Sequence, residues 1–384
     1  MLSAPLEIVH VFPSFALGGQ QRRLLTLVDG LGPDFRHRIL SLSEDLSAAA
    51  ALNPALASAT AIAFRKSSSL DFGNIRRLRK AIAGAGLLCT YNWGSMEAVI
   101  ANRLGPRIRH IHHEDGFGAD ETGGRQLPRR VRARRIVLSR SLVIVPSRTL
   151  EKIAIDRWKF KPDRVRRIPV GIDLEKFKSA SREKSGAPVT VAAIGALRPE
   201  KNFARLIRCF ERASEGTTAR LFIWGDGPER QTLREQAANS AAAPRITLAG
   251  ETDEPERALA AADIFALSSN TEQTPVSLIE AMAAGLPAIA TDVGDIKGLV
   301  SWENESFIVP VEDERRYATA LKKLIEDTAL CKKLGLANAE KVKAFDARVM
   351  VENFRLLYAG SKIDQAPSTR KNASNMMSAQ SSAE

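Results

Sequence analysis

The chain alternates between short apolar runs and longer segments with helical periodicity, and this alternation limits its possible folds more than any other feature. Apolar runs in the first half predict strands at residues 8–12, 38–41, 87–91, 108–112 and 142–146. Between the first two runs, Leu24, Leu25 and Val28 have the spacing of one helix face. Strands that alternate with helices in this way predict a parallel sheet covered by helices.

The same alternation starts again in the second half. Further apolar runs predict strands at 189–194, 220–224, 245–248, 264–267 and 287–290. Because 384 residues suffice for two ordinary cores, we predict one α/β domain over residues 1–180 and another over 181–345. A polar stretch at 179–188 is the predicted linker.

The last part of the chain divides into a helical and a polar segment. Residues 346–360 carry the pattern of a final helix, which we expect to cross back to the first domain. Residues 361–384 are mainly Ser, Ala, Asn and Lys, with little apolar surface to bury, so this tail is predicted to be disordered.

Two parallel α/β domains in tandem leave a cleft at the carboxyl ends of their strands, where ligands bind. Gly195 ends a predicted strand, and Arg198 and Lys201 follow it at the start of a helix. Two cations beside a helix amino-terminus suit a diphosphate, because the helix dipole and free N–H groups also attract anions. A plain loop with two solvated cations explains this segment equally well.

A second polar loop carries two carboxylates. Glu272 follows the predicted strand at 264–267, and Glu280 lies inside a helix that begins near Pro275. The neighbours of Glu280 are apolar, so burial of its carboxylate is costly unless it is paired. Two ribose hydroxyls are one natural pair of donors, although backbone groups or an arginine are the commoner partners.

These segments resemble the retaining glycosyltransferases of family 4. Glu272 and Glu280 match the E-x7-E signature of that family. The other matches are a glycine loop, a V-x-S segment, the crossover between the domains and a G-x-G-P turn. In chain order they are Gly18-Gly19-Gln20, Val145-Pro146-Ser147, Pro169-Val170-Gly171-Ile172-Asp173 and Gly225-Asp226-Gly227-Pro228. The resemblance implies the GT-B fold, in which two Rossmann-like domains with parallel sheets face a central cleft.

The resemblance also implies roles for these residues. Arg198 and Lys201 would hold the donor diphosphate and stabilise the leaving nucleotide, which is often the largest catalytic contribution. Glu280 would hold the ribose, and Glu272 would orient the donor sugar. The remaining expected donor contacts are glycines and two polar residues that stand where the family commonly has Gly and Phe: Gly18, Gly19, Gly195, Gln273 and Thr274.

A cluster of histidines and carboxylates follows the predicted strand at 108–112. The histidines are adjacent or two apart on an extended segment, which is unlike the spacing of a metal site. Alternation along the strand places His110 and His112 on one face. By resemblance, a histidine after this strand contacts the donor sugar; His112 is the preferred match and His113 the second.

The implied reaction retains the anomeric configuration and uses no metal. In that mechanism the acceptor hydroxyl attacks from the face that the nucleotide leaves, and a phosphate oxygen takes the proton. The chain has no D-x-D motif, which anchors a divalent cation in the other main glycosyltransferase fold. Arg198 and Lys201 would neutralise the diphosphate instead, so neither a metal nor a cofactor is expected.

Positive charge is concentrated in the first half. Residues 1–180 carry 30 Lys and Arg against 16 Asp and Glu, whereas residues 181–384 carry 26 against 28. The densest stretch is a helix predicted from about Pro128, and a solvated helix face is its simplest explanation. The functional alternative is contact with anionic lipid headgroups, where a lipid-linked acceptor would lie. That surface would use Arg129, Arg130, Arg132, Arg134 and Arg135.

A nucleic-acid-binding protein, or another binder of anions, is the main alternative because the net charge is +12. Aromatic residues make up only 6% and no nucleic-acid-binding motif occurs, which argues against it. The expected partners are a nucleotide-sugar donor and a carbohydrate or lipid-linked acceptor, in polysaccharide or glycolipid synthesis. The absence of any run of 18 apolar residues favours a cytoplasmic protein, with peripheral contact at the inner membrane face as a further expectation.

Overall fold

The computed structural model of the chain describes residues 4–65, 70–117, 121, 126–179, 188–272 and 274–360. The predicted tail at 361–384, nearly all of the predicted linker and Gln273 therefore lie outside the described residues.

The first half forms a parallel sheet of seven described strands in the order β3-β2-β1-β4-β5-β6-β7. These strands are β1 Leu6–Phe12, β2 Phe35–Ser41, β3 Ala57–Ala61, β4 Leu87–Tyr91, β5 Arg109–His113, β6 Leu142–Val145 and β7 Val165–Arg167. The helices are α1 Gly19–Leu31, α2 Phe72–Ile82, α3 Met96–Leu104, α4 Pro128–Val137, α5 Arg148–Asp156 and α6 Leu174–Ser179.

The second half repeats the architecture, with six described strands in the order β10-β9-β8-β11-β12-β13. They are β8 Thr190–Ile194, β9 Arg220–Trp224, β10 Ile246–Gly250, β11 Ile264–Leu267, β12 Ala288–Thr291 and β13 Ile308–Val309. The helices are α7 Phe203–Ala213, α8 Arg230–Ala238, α9 Pro255–Ala260, α10 Val276–Ala283, α11 Ile296–Leu299, α12 Glu314–Glu326, α13 Thr328–Lys341 and α14 Ala347–Ala359.

The predicted fold class, two α/β domains with parallel sheets, is confirmed. In β8, Val191 and Ala193 join the core on one face and Ala192 joins the core on the other. Burial on both faces explains why the central strands appear in the sequence as continuous apolar runs. The strands β3, β7 and β13 were not predicted, and each lies at an edge of its sheet, where less apolar surface is needed.

The helix α14 packs on the first sheet although it follows the second one in the chain. Its side chains Phe354 and Tyr358 are fully buried in the first-domain core. The chain crosses between the domains twice at one place, because the Ile172 N–H donates to the Phe345 carbonyl at 2.9 Å. A Cβ on Gly171 would lie 2.7 Å from the Cα of Ala347, so this close crossing requires glycine.

Within the described ranges, no helix combines the length and apolar character that crossing a bilayer requires.

Candidate active site

A cleft of about 930 Å³ lies between the two domains. Both sheets present the carboxyl ends of their strands to it, as expected for open α/β sheets. The first-domain wall includes residues that follow β1, β4, β5 and β6: Gly19, Gln20, Arg23, Asn92, Trp93, Asp115, Phe117, Pro146 and Thr149. The second-domain wall includes residues that follow β8, β11 and β12: Arg198, Lys201, Asn270, Glu272, Thr274, Val293 and Gly294.

The loop after β8 is held by a glycine turn after β9. The Leu197 N–H donates to the Asp226 carbonyl at 2.8 Å. Gly225 has a φ of 145°, and a Cβ there would lie 1.9 Å from the Gly195 carbonyl oxygen. Only glycine allows this contact, so the G-x-G-P turn fixes the loop that carries Arg198. Gly195 is not among the described lining residues, and its carbonyl packs against Gly225; its expected donor contact stays a prediction.

Three of the predicted donor-site side chains meet in the cleft. Arg198 is exposed there, while Lys201 Nζ lies 2.6 Å from Glu272 Oε1. The Ser269 hydroxyl donates to the same carboxylate oxygen at 2.7 Å. In the chain without ligand, Lys201 is therefore neutralised by a carboxylate of its own domain, a pairing that the sequence did not predict.

Thr274 adds a hydroxyl to this wall. Its Oγ1 is buried and has no hydrogen-bond partner among the described residues, although the residue lines the cleft. A buried hydroxyl without a partner is costly, and a ligand oxygen in the cleft would satisfy it. Its predicted companion Gln273 lies outside the described residues.

Glu280 lies on α10 and does not line the cleft as the other three residues do. Burial raises the pKa of its carboxyl to about 7, and the nearby charge of Glu256 acts in the same direction. Arg22 and Lys176 oppose this rise in pKa. Because Arg22 belongs to α1 of the first domain, Glu280 faces the boundary between the domains. The expectation that its burial is costly agrees with the raised pKa.

The two glycines after β1 differ in their surroundings. Gly19 lines the cleft, and a Cβ added there would meet nothing within 4 Å. Gly18 precedes α1 with a φ of −162°, which is extended backbone open to any residue, and it is not a lining residue. The fold therefore requires glycine at neither position, and only Gly19 leaves its space open to a ligand.

The expectation that His112 faces the cleft is wrong. Its side chain is fully buried, and its Nδ1 lies 2.8 Å from the Thr90 hydroxyl. His113 is also buried, with its ring stacked on Tyr91 at 4.6 Å. The reason is that His112 lies within β5, whose last three residues are all buried, and not in the loop that follows the strand. The cleft begins only at Asp115.

Asp115 is a cleft residue that the sequence did not reveal as such. Its Oδ2 accepts from Gln20 Nε2 at 2.6 Å and from the Arg23 guanidinium at 2.8 Å, and its Oδ1 also pairs with Arg23. Its own N–H donates to Asn92 Oδ1 at 2.9 Å. The carboxylate raises the pKa of buried Arg23, although desolvation opposes that rise. This network joins the loops after β1, β4 and β5.

The arginine-rich helix α4 does not present one continuous cationic face. The side chain of Arg134 is only 1% exposed, and its guanidinium donates to Glu114 at 3.0 Å and to Glu121 at 3.1 Å. It also lies over the rings of Trp93 and Trp158, at 5.2 and 4.9 Å. Arg134 is therefore wrongly placed in the predicted lipid-facing set, because it occupies the buried face of the helix.

The other members of that set divide between the cleft and the surface. Arg130 lines the cleft and pairs with Glu121 at 3.2 Å. Arg129, Arg132 and Arg135 are exposed. Only these three remain available to a surface.

One carboxylate joins the domains at the rim of the cleft. Asp295, which precedes α11, accepts from the Thr149 N–H at 2.9 Å, from the Thr149 hydroxyl at 2.5 Å and from the Arg148 N–H. Ser147 accepts from the Leu150 N–H at 3.1 Å. The first three N–H groups of α5 are thus satisfied, two of them by the opposite domain.

The amino-acid sequence is similar to those of known protein families. Residues 17–176 match the family described as Glycosyltransferase Family 4, and residues 175–341 match Glycosyl transferases group 1. Sulfoquinovosyl transferase SQD2 of Arabidopsis thaliana is 27% identical over 226 residues, which are 56% of this chain and 43% of that protein. Phosphatidyl-myo-inositol mannosyltransferase of Mycobacterium leprae is 29% identical over 212 residues, 52% of this chain and 56% of that protein. The chain spans about half the length of these curated relatives.

A solved structure shows the same fold. HepE of Anabaena, crystallised with UDP, superimposes with a TM-score of 0.77 over 92% of this chain and 100% of that one, at 16% identity. The two family models together extend from residue 17 to residue 341, which covers most of the chain. The predicted resemblance is therefore confirmed, and the chain belongs to the group 1 glycosyltransferases of family 4, with the GT-B fold.

Proposed function

We propose that this protein transfers a sugar from a nucleotide-activated donor to a hydroxyl group of an acceptor. The observation that carries the proposal is one shared cleft in which Arg198, Lys201, Glu272 and Thr274 line the wall opposite the first domain. A nucleotide sugar brings a diphosphate, which suits two cations and a hydroxyl without a partner.

In the proposed reaction, Arg198 and Lys201 bind the diphosphate and stabilise the charge that develops as the nucleotide leaves. Lys201 then exchanges part of its contact with Glu272 for the phosphate oxygens, and Glu272 becomes free to accept hydroxyls of the donor sugar. Glu280 accepts the ribose hydroxyls once it is ionised. Such electrostatic stabilisation of the leaving group is often worth several kcal/mol.

We propose that the configuration at the anomeric carbon is retained. The bond from the anomeric carbon to the nucleotide oxygen breaks, the acceptor oxygen bonds on the same face, and a phosphate oxygen takes the acceptor proton. NMR assignment of the product anomer tests this step, and an inverted product contradicts it. We also propose that the cations of the chain suffice without a metal, so that turnover persists in excess EDTA; loss of turnover that Mg²⁺ restores contradicts this.

The names of the relatives suggest a setting in glycolipid or cell-surface polysaccharide synthesis, since two of them denote a sulfoquinovosyl and a phosphatidylinositol-mannosyl transferase. We propose that the protein acts in the cytoplasm, at the inner face of the membrane. Arg129, Arg132 and Arg135 are exposed on α4, and Ile136 beside them is 62% exposed. An apolar side chain among cations suits an anionic lipid surface.

Sedimentation with anionic liposomes at low salt tests the membrane contact. The triple variant with Arg129, Arg132 and Arg135 changed to Gln is expected to remain in the supernatant. The matched control changes three exposed arginines of the second domain, Arg234, Arg257 and Arg315, in the same way. A wild-type protein that does not sediment contradicts the proposal.

The transferase activity itself is tested with a panel of UDP-, GDP- and ADP-sugars. We expect one donor to raise the melting temperature and to be hydrolysed slowly without an acceptor, because a ligand that binds only the folded state stabilises it. Binding of no nucleotide sugar, together with a salt-sensitive shift of nucleic acid on a gel, would favour the nucleic-acid-binding alternative.

A further inference from the structure

The first-domain wall of the cleft carries two aromatic side chains, Trp93 and Phe117. Trp93 lies in a tightly fixed loop after β4. Asn92 before it has a φ of 53°, which is rare outside glycine, and a Cβ on Gly94 after it would lie 2.7 Å from Pro13. The backbone at Trp93 is thus fixed, and the guanidiniums of Arg130 and Arg134, each 5.2 Å from the ring centroid, pack against its ring.

The described cations of this wall each pair with a carboxylate. Among the described residues that line the cleft in this domain, Arg23 pairs with Asp115, Arg130 pairs with Glu121, and Arg134 pairs with Glu114 and Glu121. The side chains of these carboxylates are buried or nearly so. Three described guanidiniums thus face three carboxylates, so this part of the wall has no excess positive charge to attract an anionic ligand.

The polar groups that remain suit hydroxyls instead. The Asp115 carboxylate accepts three hydrogen bonds from Gln20 and Arg23, while a carboxylate offers about four lone-pair sites. Asn92 lies beside it, joined by the Asp115 N–H. Aromatic rings next to a carboxylate and an amide present apolar and polar surface together, which matches the C–H face and the hydroxyls of a pyranose.

From this arrangement we infer that the acceptor presents a neutral sugar ring to the first-domain wall, stacked on Trp93 and hydrogen-bonded to Asp115. The inference rests on the proposed transferase function and specifies its acceptor. It makes Trp93 a specificity-determining residue. Among the described residues of this wall, a phosphorylated sugar or another anionic acceptor finds no cation without a carboxylate partner.

Saturation-transfer NMR tests the inference directly. Wild-type protein is saturated with UDP, GDP or ADP, whichever stabilises it most, and is then titrated with methyl α-glucoside, α-galactoside and α-mannoside. The corresponding sugar 6-phosphates are titrated in parallel. We expect ring protons of at least one methyl glycoside to receive saturation from the protein, and no 6-phosphate to bind more tightly than its neutral parent.

Variants identify the ring responsible. Trp93→Ala is expected to weaken glycoside binding at least tenfold, whereas Trp93→Phe keeps an aromatic face and retains part of the affinity. The control is Trp302→Ala, because Trp302 is 80% exposed and belongs to the second domain. Melting temperatures of all three variants show whether a loss of binding is a loss of fold.

Three outcomes overturn the inference: a 6-phosphate that binds at least tenfold more tightly than its parent, a Trp93→Ala variant that binds glycosides like the wild type, or a wild type that binds the nucleotide but no methyl glycoside. Failure of the transferase proposal is distinct, because the wild type then binds no nucleotide at all.

Discussion

The two walls of the cleft carry the same kinds of charged groups but hold them differently. On the first-domain wall, Arg23 and Arg134 are buried and pair with buried carboxylates. On the second-domain wall, Arg198 is exposed, and Lys201 and Glu272 form a partly exposed pair. The Thr274 hydroxyl has no partner within the described part of the chain. The described charges of the first wall are already paired within the protein, whereas the second wall has groups that an anionic ligand would satisfy.

This difference distinguishes charges that stabilise the fold, on the first wall, from charges that we propose bind the donor, on the second. A buried ion pair costs much to break, because the remaining partner keeps its charge without water. A partly exposed pair costs little, because solvent replaces the lost partner. Substitutions of similar kind on the two walls should therefore affect different properties, stability on the first and ligand affinity on the second.

The largest effect is expected from Arg134→Ala. It leaves the carboxylates of Glu114 and Glu121 buried and without their main cation, so we expect the free energy of unfolding to fall by about 3–5 kcal/mol. Denaturant unfolding measures this change. Arg135→Ala, on the exposed side of the same helix, is the control and should change stability by less than about 0.5 kcal/mol. If Arg134→Ala lowered the free energy of unfolding by less than about 1 kcal/mol, the proposed difference between the two walls would be refuted.

Next in size is the effect of Lys201→Ala on nucleotide affinity. Loss of a charge-assisted contact, together with an unpaired Glu272 beside the phosphates, should weaken binding about 100-fold. Stability should change by less than about 1 kcal/mol, because the pair is partly exposed. Calorimetric titration with the nucleotide and denaturant unfolding give the two values. Lys332→Ala, at an exposed site on α13, is the control, and equal affinity in both variants would refute the assignment.

Glu280 should give the protein a measurable pH dependence. Its pKa in the folded protein is about 7, raised from 4.5 mainly by burial. As the pH rises from about 5 to about 8, the unfolded chain has already lost this proton while the folded one must give it up, so stability falls. Between these two pH values, the free energy of unfolding of the wild type should fall by about 2 kcal/mol more than that of Glu280→Gln.

Unfolding curves of the wild type and Glu280→Gln at both pH values measure the Glu280 contribution. Glu303→Gln removes an exposed carboxylate from the same domain and serves as the control. A difference between wild type and Glu280→Gln that does not change with pH would mean that Glu280 is more hydrated than the structure indicates.

The smallest effect is expected at the contact between Asp295 of the second domain and the start of α5 in the first. Asp295→Ala removes the acceptor of two α5 N–H groups, so the amides of Arg148 and Thr149 should exchange with solvent about tenfold faster. Hydrogen exchange followed by mass spectrometry or NMR measures this. Asp292→Ala, an exposed carboxylate in the same loop, is the control. Unchanged exchange in Asp295→Ala would show that this contact does not hold the domains together.

Local patterns were sufficient for the second-domain wall. Strand ends and loop residues placed Arg198, Lys201 and Glu272 on one edge, because the carboxyl ends of parallel strands converge. The same reasoning failed at His112, since this residue lies within β5 and its side chain is buried in the first domain. It also failed at Arg134, because the helical pattern around α4 does not reveal which arginine meets a buried carboxylate.

The first-domain wall depends on contacts between distant parts of the chain. Asp115 meets Arg23 and Asn92 only because the strands lie in the order β1-β4-β5, which no single segment encodes. The contact of Asp295 with Thr149 joins residues 146 positions apart. Sequence patterns therefore identified the charges that we propose bind the donor, whereas the buried ion pairs required the three-dimensional arrangement.

The return of α14 to the first sheet has a consequence for how the protein is made. Phe354 and Tyr358 fill the core of a domain whose strands were synthesised nearly 200 residues earlier. On the ribosome, the second domain can complete its sheet while the first still lacks part of its interior. The amino-terminal half must wait for the chain to pass residue 358, which reverses the usual order in which domains mature during translation.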